Sequence, residues 1–196
     1  MKLYVIRHGQ SEANAKGFHS GQLQVPLTER GEADARRAGE LISGIAYDKV
    51  YASDLLRAVQ TARIALPDAT PELSPLIREL DVGPLLEGKY VSECRAEYGD
   101  DYEGCRAKTD YRLYGGESLS DLSVRVLRFV DLLRERGDET VIAFAHAGVV
   151  STLLSAAVGA DPASRGINLC ENGSVNLFEI RERSIELLKW SYTGSL

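Results

Sequence analysis

Two apolar runs in this sequence each end in a histidine with glycine close behind. Leu3-Tyr4-Val5-Ile6 leads into Arg7-His8-Gly9, and Val141-Ile142-Ala143-Phe144-Ala145 leads into His146-Ala147-Gly148. Neither run alternates with polar residues, the pattern of strands buried on both faces. In open α/β sheets ligands bind at the carboxyl ends of neighbouring strands. If these two strands are adjacent, His8 and His146 converge there, joined by Arg7 and by Arg57 from the start of the helix that follows Val50-Tyr51-Ala52. Two guanidinium groups and two imidazoles ask for a compact, highly charged anion. Phosphate fits best, because the planar arginine fork matches its oxygens two at a time. The glycines let the backbone approach such a ligand closely, and nearby helix N-termini add free N–H groups.

The elements that must position these residues are legible from apolar spacing. Thr28 is the expected N-cap of a helix whose inner face carries Ala38, Leu41, Ile42 and Ile45. Ser53 is expected to cap the next helix, with Leu55, Val59, Ala62 and Leu66 as its stripe and Arg57 near its first turn. A strand is expected over residues 73–80. From Asp81 to Tyr114 periodicity is lost. Ser118, with Asp121 three residues on, opens a long helix lined by Leu119, Leu122, Val126, Phe129, Val130 and Leu133 and closed by Gly137. A strand at 141–145, a helix at about 148–158, and a hairpin of strands at 174–180 and 184–191 complete the chain. Strands alternating with helices predict the α/β class, with a mostly parallel central sheet flanked by helices on both faces.

Composition narrows the function classes. The chain has 196 residues, 44% of them hydrophobic, and a formal net charge of −6, which disfavours broad binding to nucleic acid or to an anionic membrane. Three widely spaced cysteines and three histidines give no disulfide scaffold and no structural zinc pattern. No metal is called for, and Cys94, Cys105 and Cys170 are expected as free thiols. Residues 141–160 hold no Asp, Glu, Lys or Arg, about the length that spans a bilayer. His146, Gly148 and scattered hydroxyls argue instead for a strand turning into a helix. The apolar start is too short for a signal peptide, so the expected location is cytoplasmic.

Together with Arg7-His8-Gly9 and Ala145-His146-Ala147-Gly148, the run Ser53-Asp54-Leu55-Leu56-Arg57-Ala58-Val59-Gln60-Thr61-Ala62 and Arg78-Glu79-Leu80 resemble the histidine phosphatase superfamily, also called the phosphoglycerate mutase-like family. Pro26-Leu27-Thr28-Glu29-Arg30-Gly31, Gly83 with Glu87-Gly88, and Gly115-Gly116-Glu117-Ser118 extend the likeness, which runs in order from Met1 to about Ala160. It implies one domain over residues 1–196, a three-layer sandwich with a lid or specificity insertion at about 81–114. It also implies a covalent phosphohistidine mechanism without a cofactor. His8 is the nucleophile by position. Arg7, Arg57 and a protonated His146 hold the equatorial oxygens, Asn14 and Ala147 add further phosphate contacts, and Glu79 is the general acid, with Asp81 its competitor. Two positions depart from the pattern: Ser20 precedes Gly21 where relatives carry glutamine, and Gln24 stands where aspartate is common before Pro-Leu. His19, beside them, reads as a solvated loop residue.

After Glu79, the run Leu80-Asp81-Val82-Gly83-Pro84-Leu85-Leu86-Glu87-Gly88 lacks the basic segment of the longer cofactor-dependent mutases and is similar to the shorter phosphatases. The implied activity is that of a histidine acid phosphatase-like phosphomonoesterase acting on a small phosphorylated metabolite. A phosphomutase and a non-catalytic phospho-ligand binding protein are the alternatives. In residues 81–114 acids outnumber bases, which disfavours a polyphosphate substrate. The tyrosines Tyr90, Tyr98, Tyr102, Tyr111 and Tyr114 either stack on a ring or pack the lid. A homodimer through the C-terminal strands is the one protein partnership the sequence leaves open.

Overall fold

The computed structural model of the protein describes residues 1–161 and 170–194. The strands are β1 (Lys2–Arg7), β2 (Lys49–Ala52), β3 (Glu72–Leu73), β4 (Thr140–Ala145), β5 (Val175–Ile180) and β6 (Ile185–Tyr192), and they form one sheet in the order β3-β2-β4-β1-β5-β6. β1 to β4 run parallel to one another, while β5 is antiparallel to β1 and β6 to β5. β1 and β4 are direct neighbours in a register that sets Arg7 opposite Ala145. The residues that follow, His8 and His146, therefore emerge side by side.

The helices are α1 (Glu12–Lys16), α2 (Glu29–Ile42), α3 (Leu56–Ala65), α4 (Val91–Lys108), α5 (Leu119–Arg136) and α6 (Ala147–Ala157). Strand alternation assigns them to faces. Val141, Ala143 and Ala145 of β4 share a buried cluster with Leu122, Val126 and Val130 of α5 and Val149, Val150 and Leu153 of α6. Ile142 and Phe144 share the opposite one with Ala38 and Ile42 of α2 and Ala62 and Ala65 of α3. The result is the expected three-layer α/β sandwich. The Thr28 hydroxyl accepts from the Gly31 N–H, and Ser118 and Asp121 form a reciprocal capping box, as their positions predict. The apolar stretch of residues 141–160 is divided between β4 and α6, and among the described residues no helix is long and apolar enough to cross a membrane.

The structure departs from the sequence reading in four places. The strand expected over 73–80 stops at Leu73, because Pro75 has no N–H to give a ladder and opens a single 3-10 turn, Pro75–Ile77. Glu79 thus lies on an irregular segment. The irregular region expected at 81–114 contains α4, which escaped notice because Gly99, with φ +52° and ψ −127°, breaks it into two short pieces. Each piece shows its inner face for barely two turns, and only Cys94 and Tyr102 of the helix are buried. α1, only five residues long, lies inside what reads as a polar loop. The N-cap of α3 is Leu55 rather than Ser53, which frees the serine for a different task.

Candidate active site

His8 leaves β1 with its N–H bonded to the Ala145 carbonyl at 2.9 Å and its ring almost fully buried. Its Nδ1 lies 2.7 Å from the carbonyl oxygen of Gly9. A carbonyl only accepts, so Nδ1 carries the ring proton and Nε2 keeps its lone pair. Burial, reinforced by the Arg57 and Arg7 guanidinium groups, lowers the pKa of His8 well below the ordinary histidine value. The ring is therefore neutral near neutral pH, with Nε2 available as a nucleophile.

His146 is fully buried at the end of β4, its ring centroid 5.1 Å from that of His8. Its Nε2 lies 2.8 Å from the Ser53 hydroxyl, and the Ser53 oxygen accepts the Leu55 N–H. Serine can then give its own proton to Nε2, which puts the imidazole proton on Nδ1. The surroundings of His146 work against the expected protonation. Burial first, then the field of Arg57 and the neighbouring His8, hold its pKa well below the usual range. Its Nδ1 and the Nε of Arg7 are buried and have no hydrogen-bond partner among the described residues. A bound oxyanion can supply what these groups lack.

Arg57 is 1% exposed. Its Nη1 and Nη2 donate to the carbonyls of Leu23 and Gly21, at 3.0 and 2.8 Å, so the loop at 20–24 aims the guanidinium. Burial brings its pKa down to about 10, which leaves it charged at neutral pH. Arg7 donates through Nη1 to the carbonyl of Cys170. The Asn14 side-chain oxygen accepts from the Ser11 N–H at 3.1 Å and from the Asn172 amide at 3.3 Å, and Asn172 also donates to the His8 carbonyl at 3.0 Å. Asn172 thus braces the backbone of His8, a contact that no motif in the sequence points to.

The Glu79 carboxylate accepts the Gly148 N–H at 3.1 Å, in the first turn of α6, and the Leu80 N–H at 2.9 Å. A Cβ on Gly148 would stand 2.3 Å from the same Glu79 oxygen. Glycine is thus required for this approach. Ala147, between His146 and Gly148, opens α6. Asp81 turns away into a local bend, its Oδ1 accepting the Gly83 N–H at 2.8 Å. Another carboxylate reaches the pocket without having been foreseen: Glu87 accepts the Gln22 N–H at 2.6 Å, and its charge acts on Arg57. Burial raises its pKa.

The two departures in the loop at 20–24 have structural counterparts. The Gln24 side-chain oxygen accepts the N–H of Leu56 at 2.7 Å, a helix-start bond that aspartate could also make. Gly21, with φ +40°, turns its carbonyl onto Arg57. His19 is not solvated. Its Nε2 meets the Tyr102 hydroxyl at 2.6 Å, and its ring stands edge-on to Tyr102 and Tyr111. Tyr98 and Tyr114 pack at 5.0 Å between centroids, so these four tyrosines pack α4 and its flanks. Tyr90 remains exposed at 42%. All three cysteines are free thiols, as expected.

The profile of the Histidine phosphatase superfamily (branch 1) matches residues 3–193. A protein of Rhizobium etli named 2,3-bisphosphoglycerate-dependent phosphoglycerate mutase is 37% identical over 165 residues, covering 77% of each chain. The Escherichia coli adenosylcobalamin/alpha-ribazole phosphatase is 32% identical over 163 residues, covering 81% of this chain and 80% of that one. Among solved structures, the alpha-ribazole phosphatase of Shigella flexneri superposes with a TM-score of 0.87 at 27% identity, over 98% of this chain and 97% of that chain. The fold, the paired histidines at the ends of β1 and β4, and these matches agree: the chain belongs to branch 1 of the histidine phosphatase superfamily.

Proposed function

We propose that this protein is a phosphomonoesterase that hydrolyses a small phosphorylated metabolite through a covalent phosphohistidine at His8. The observation that carries the reading is the bond from His8 Nδ1–H to the Gly9 carbonyl, because it leaves Nε2 unprotonated beside two arginines. In the first half-reaction the Nε2 lone pair forms a bond to phosphorus in line as the phosphorus–alkoxy bond breaks. The leaving alkoxide takes a proton from the Glu79 carboxyl. The imidazole becomes cationic, which strengthens its charge-assisted bond to Gly9. Water then attacks phosphorus, Glu79 takes back a proton, and phosphate departs with His8 neutral again. Arg7, Arg57, the unpartnered Nδ1 of His146, Asn14 and the Ala147 N–H hold the oxygens of the transferring group, a charge field fixed in place before the transition state forms.

Residues 81–114 serve in this reading as the segment that selects the leaving group. Glu87 sets a negative charge near Arg57, which argues against a second phosphate on the substrate. The 37% identity to the Rhizobium etli protein supports the second reading, a phosphomutase.

The test is phosphate release from an aryl phosphate, with chelator present, by wild type and by His8→Ala. The variant is expected to lose about 10⁴-fold or more, and rapid quenching of the wild type should trap an acid-labile, base-stable phosphoenzyme. Wild-type rates from His8→Ala would sink the mechanism. Transfer to an added acceptor that outruns phosphate release would select the mutase.

A further inference from the structure

The ladder that could have fixed the backbone before Glu79 ends at Leu73, yet the carbonyls of Leu76, Arg78 and Glu79 are tied down. Each one left buried without a donor would cost stability. The donor common to all three is a side chain from α5, while the Gln22 amide adds a longer bond to the Glu79 carbonyl at 3.4 Å. Arg125 sends Nη1 to the carbonyls of Leu76 and Arg78, at 3.1 and 2.7 Å, and Nη2 to the carbonyl of Glu79 itself, at 2.8 Å. Its Nε and Nη2 also grip Glu117 as a two-pronged pair, both at 2.8 Å. All five N–H groups of a guanidinium are thereby engaged.

Glu117 closes the clamp from the other side. Its Oε2 accepts the N–H of Asp81 at 3.1 Å, and its own N–H donates to the Asp81 carbonyl at 2.8 Å. That approach needs Gly116, where a Cβ would lie 2.4 Å from the Asp81 carbonyl oxygen. Both partners are mostly shielded, with side-chain exposures of 16% for Arg125 and 22% for Glu117, so water screens the pair less than a surface one. Residues 79 to 81 are held at both ends.

We propose that Arg125 and Glu117 are positioning residues for proton transfer: they fix the backbone from which the Glu79 carboxyl reaches the leaving oxygen. The inference rests on the reading of Glu79 as the proton donor. A group that acts only by placing a proton donor matters in proportion to the leaving group's need for a proton. A structural prop would affect every substrate alike.

The experiment compares kcat/KM, which reports steps through enzyme phosphorylation, for glycerol 2-phosphate and for 2,4-dinitrophenyl phosphate. The first leaves as an alkoxide that must be protonated, and the second leaves without help. Arg125→Met is expected to lower kcat/KM for glycerol 2-phosphate on the order of 10²-fold and to leave that for the dinitrophenyl ester nearly unchanged. Arg125→Lys keeps the charge but lacks the fork and should rescue only part of the loss. Glu117→Gln should show the same selectivity to a smaller degree, and it carries the test if Arg125→Met fails to fold. Parallel losses on both substrates, tracking a lower Tm, would overturn the clamp.

Glu79→Gln is the control that separates the two ideas. If Glu79→Gln is leaving-group selective and the clamp variants are not, the clamp alone is wrong. If Glu79→Gln shows no selectivity, the proton-donor reading fails and takes the clamp with it.

Discussion

The pocket at the ends of β1 and β4 and the segment at 81–114 carry charge in opposite ways. Arg57 is buried and held by two backbone carbonyls, with no carboxylate hydrogen-bonded to it among the described residues. Lys89 with Glu97, Arg95 with Glu103 and Arg112 with Asp110 are side-chain pairs at the surface. A buried cation fixed by neutral dipoles, with the Glu79 and Glu87 carboxylates acting on it through space, keeps its fork available to an anion. A surface pair has already spent its charge locally. The pocket is thus preorganised for a ligand, whereas 81–114 is tied to the rest of the chain by buried side chains such as Val82, Leu86 and Tyr102, by backbone bonds such as His19 N–H to the Lys89 carbonyl, and by the bond of His19 to Tyr102.

The largest effect that would break this contrast is at Arg57. Arg57→Lys keeps the positive charge but cannot reach the carbonyls of Gly21 and Leu23 while also presenting a fork to phosphate. We expect kcat/KM for an aryl phosphate to fall about 10²- to 10³-fold, measured by phosphate release. A loss of only a few fold would mean that charge alone, without the loop at 20–24, accounts for Arg57.

Gly148 sharpens the contrast from inside the pocket. In Gly148→Ala the new methyl occupies the space of a Glu79 carboxylate oxygen, at the end of a flexible side chain that can swing away. The same methyl would stand 2.8 Å from Cδ2 of the buried Leu122, so the expected result is a drop on the order of 10²-fold on an alkyl phosphate together with a modest fall in Tm. Equal loss on an ester that needs no protonation would assign the glycine to phosphate binding instead.

The same difference explains what could be read from the sequence. The pocket residues sit in short contiguous motifs at strand ends and helix starts, where periodicity changes from strand to helix and each side chain's place follows from the backbone. His8, His146, Arg7 and Arg57 were legible for that reason, and so were the two layers of α2 with α3 and α5 with α6. Glu79, singled out by its motif, does lie beside Gly148 at the start of α6, but on an irregular segment and not on the expected strand, since Pro75 ends it. Glu87 and Glu117 lie in motifs that carry the family likeness, but their contacts, like those of Asn172 and Arg125, reach residues distant in sequence, and nothing local states what they touch. α4 was lost to the kink at Gly99. The burial of His146 and the guanidinium near it, which work against its protonation, come from the tertiary fold and leave no mark in the local sequence.

Acid should expose a third asymmetry. His8 and His146 titrate well below the usual histidine value of 6.5, and His19 is lowered too by burial and by Arg106. Below that value the unfolded chain takes up protons that the native state refuses, so native stability falls as pH drops from about 6.5. Scanning calorimetry between pH 7.5 and 5.5 should show Tm falling several degrees, and His19→Asn should make the fall shallower. A flat Tm across this window would mean that the rings are accessible to protons in the folded protein.

The smallest effect belongs to the surface pairs of α4. Glu97→Gln breaks the contact with Lys89, but Lys89 keeps its bond to the Tyr98 hydroxyl at 2.8 Å and its place over the Tyr98 ring. Exposed pairs contribute little because water and salt screen them and two long side chains must be ordered. No resolvable change in Tm or in kcat/KM is expected from Glu97→Gln or Glu103→Gln, at low or high salt. His19→Asn, by contrast, severs the bond to Tyr102 and should alter KM for a bulky substrate more than for a small aryl phosphate. If the surface pairs proved as costly as the ring contact, the segment at 81–114 would be held electrostatically, and its attachment would weaken with ionic strength.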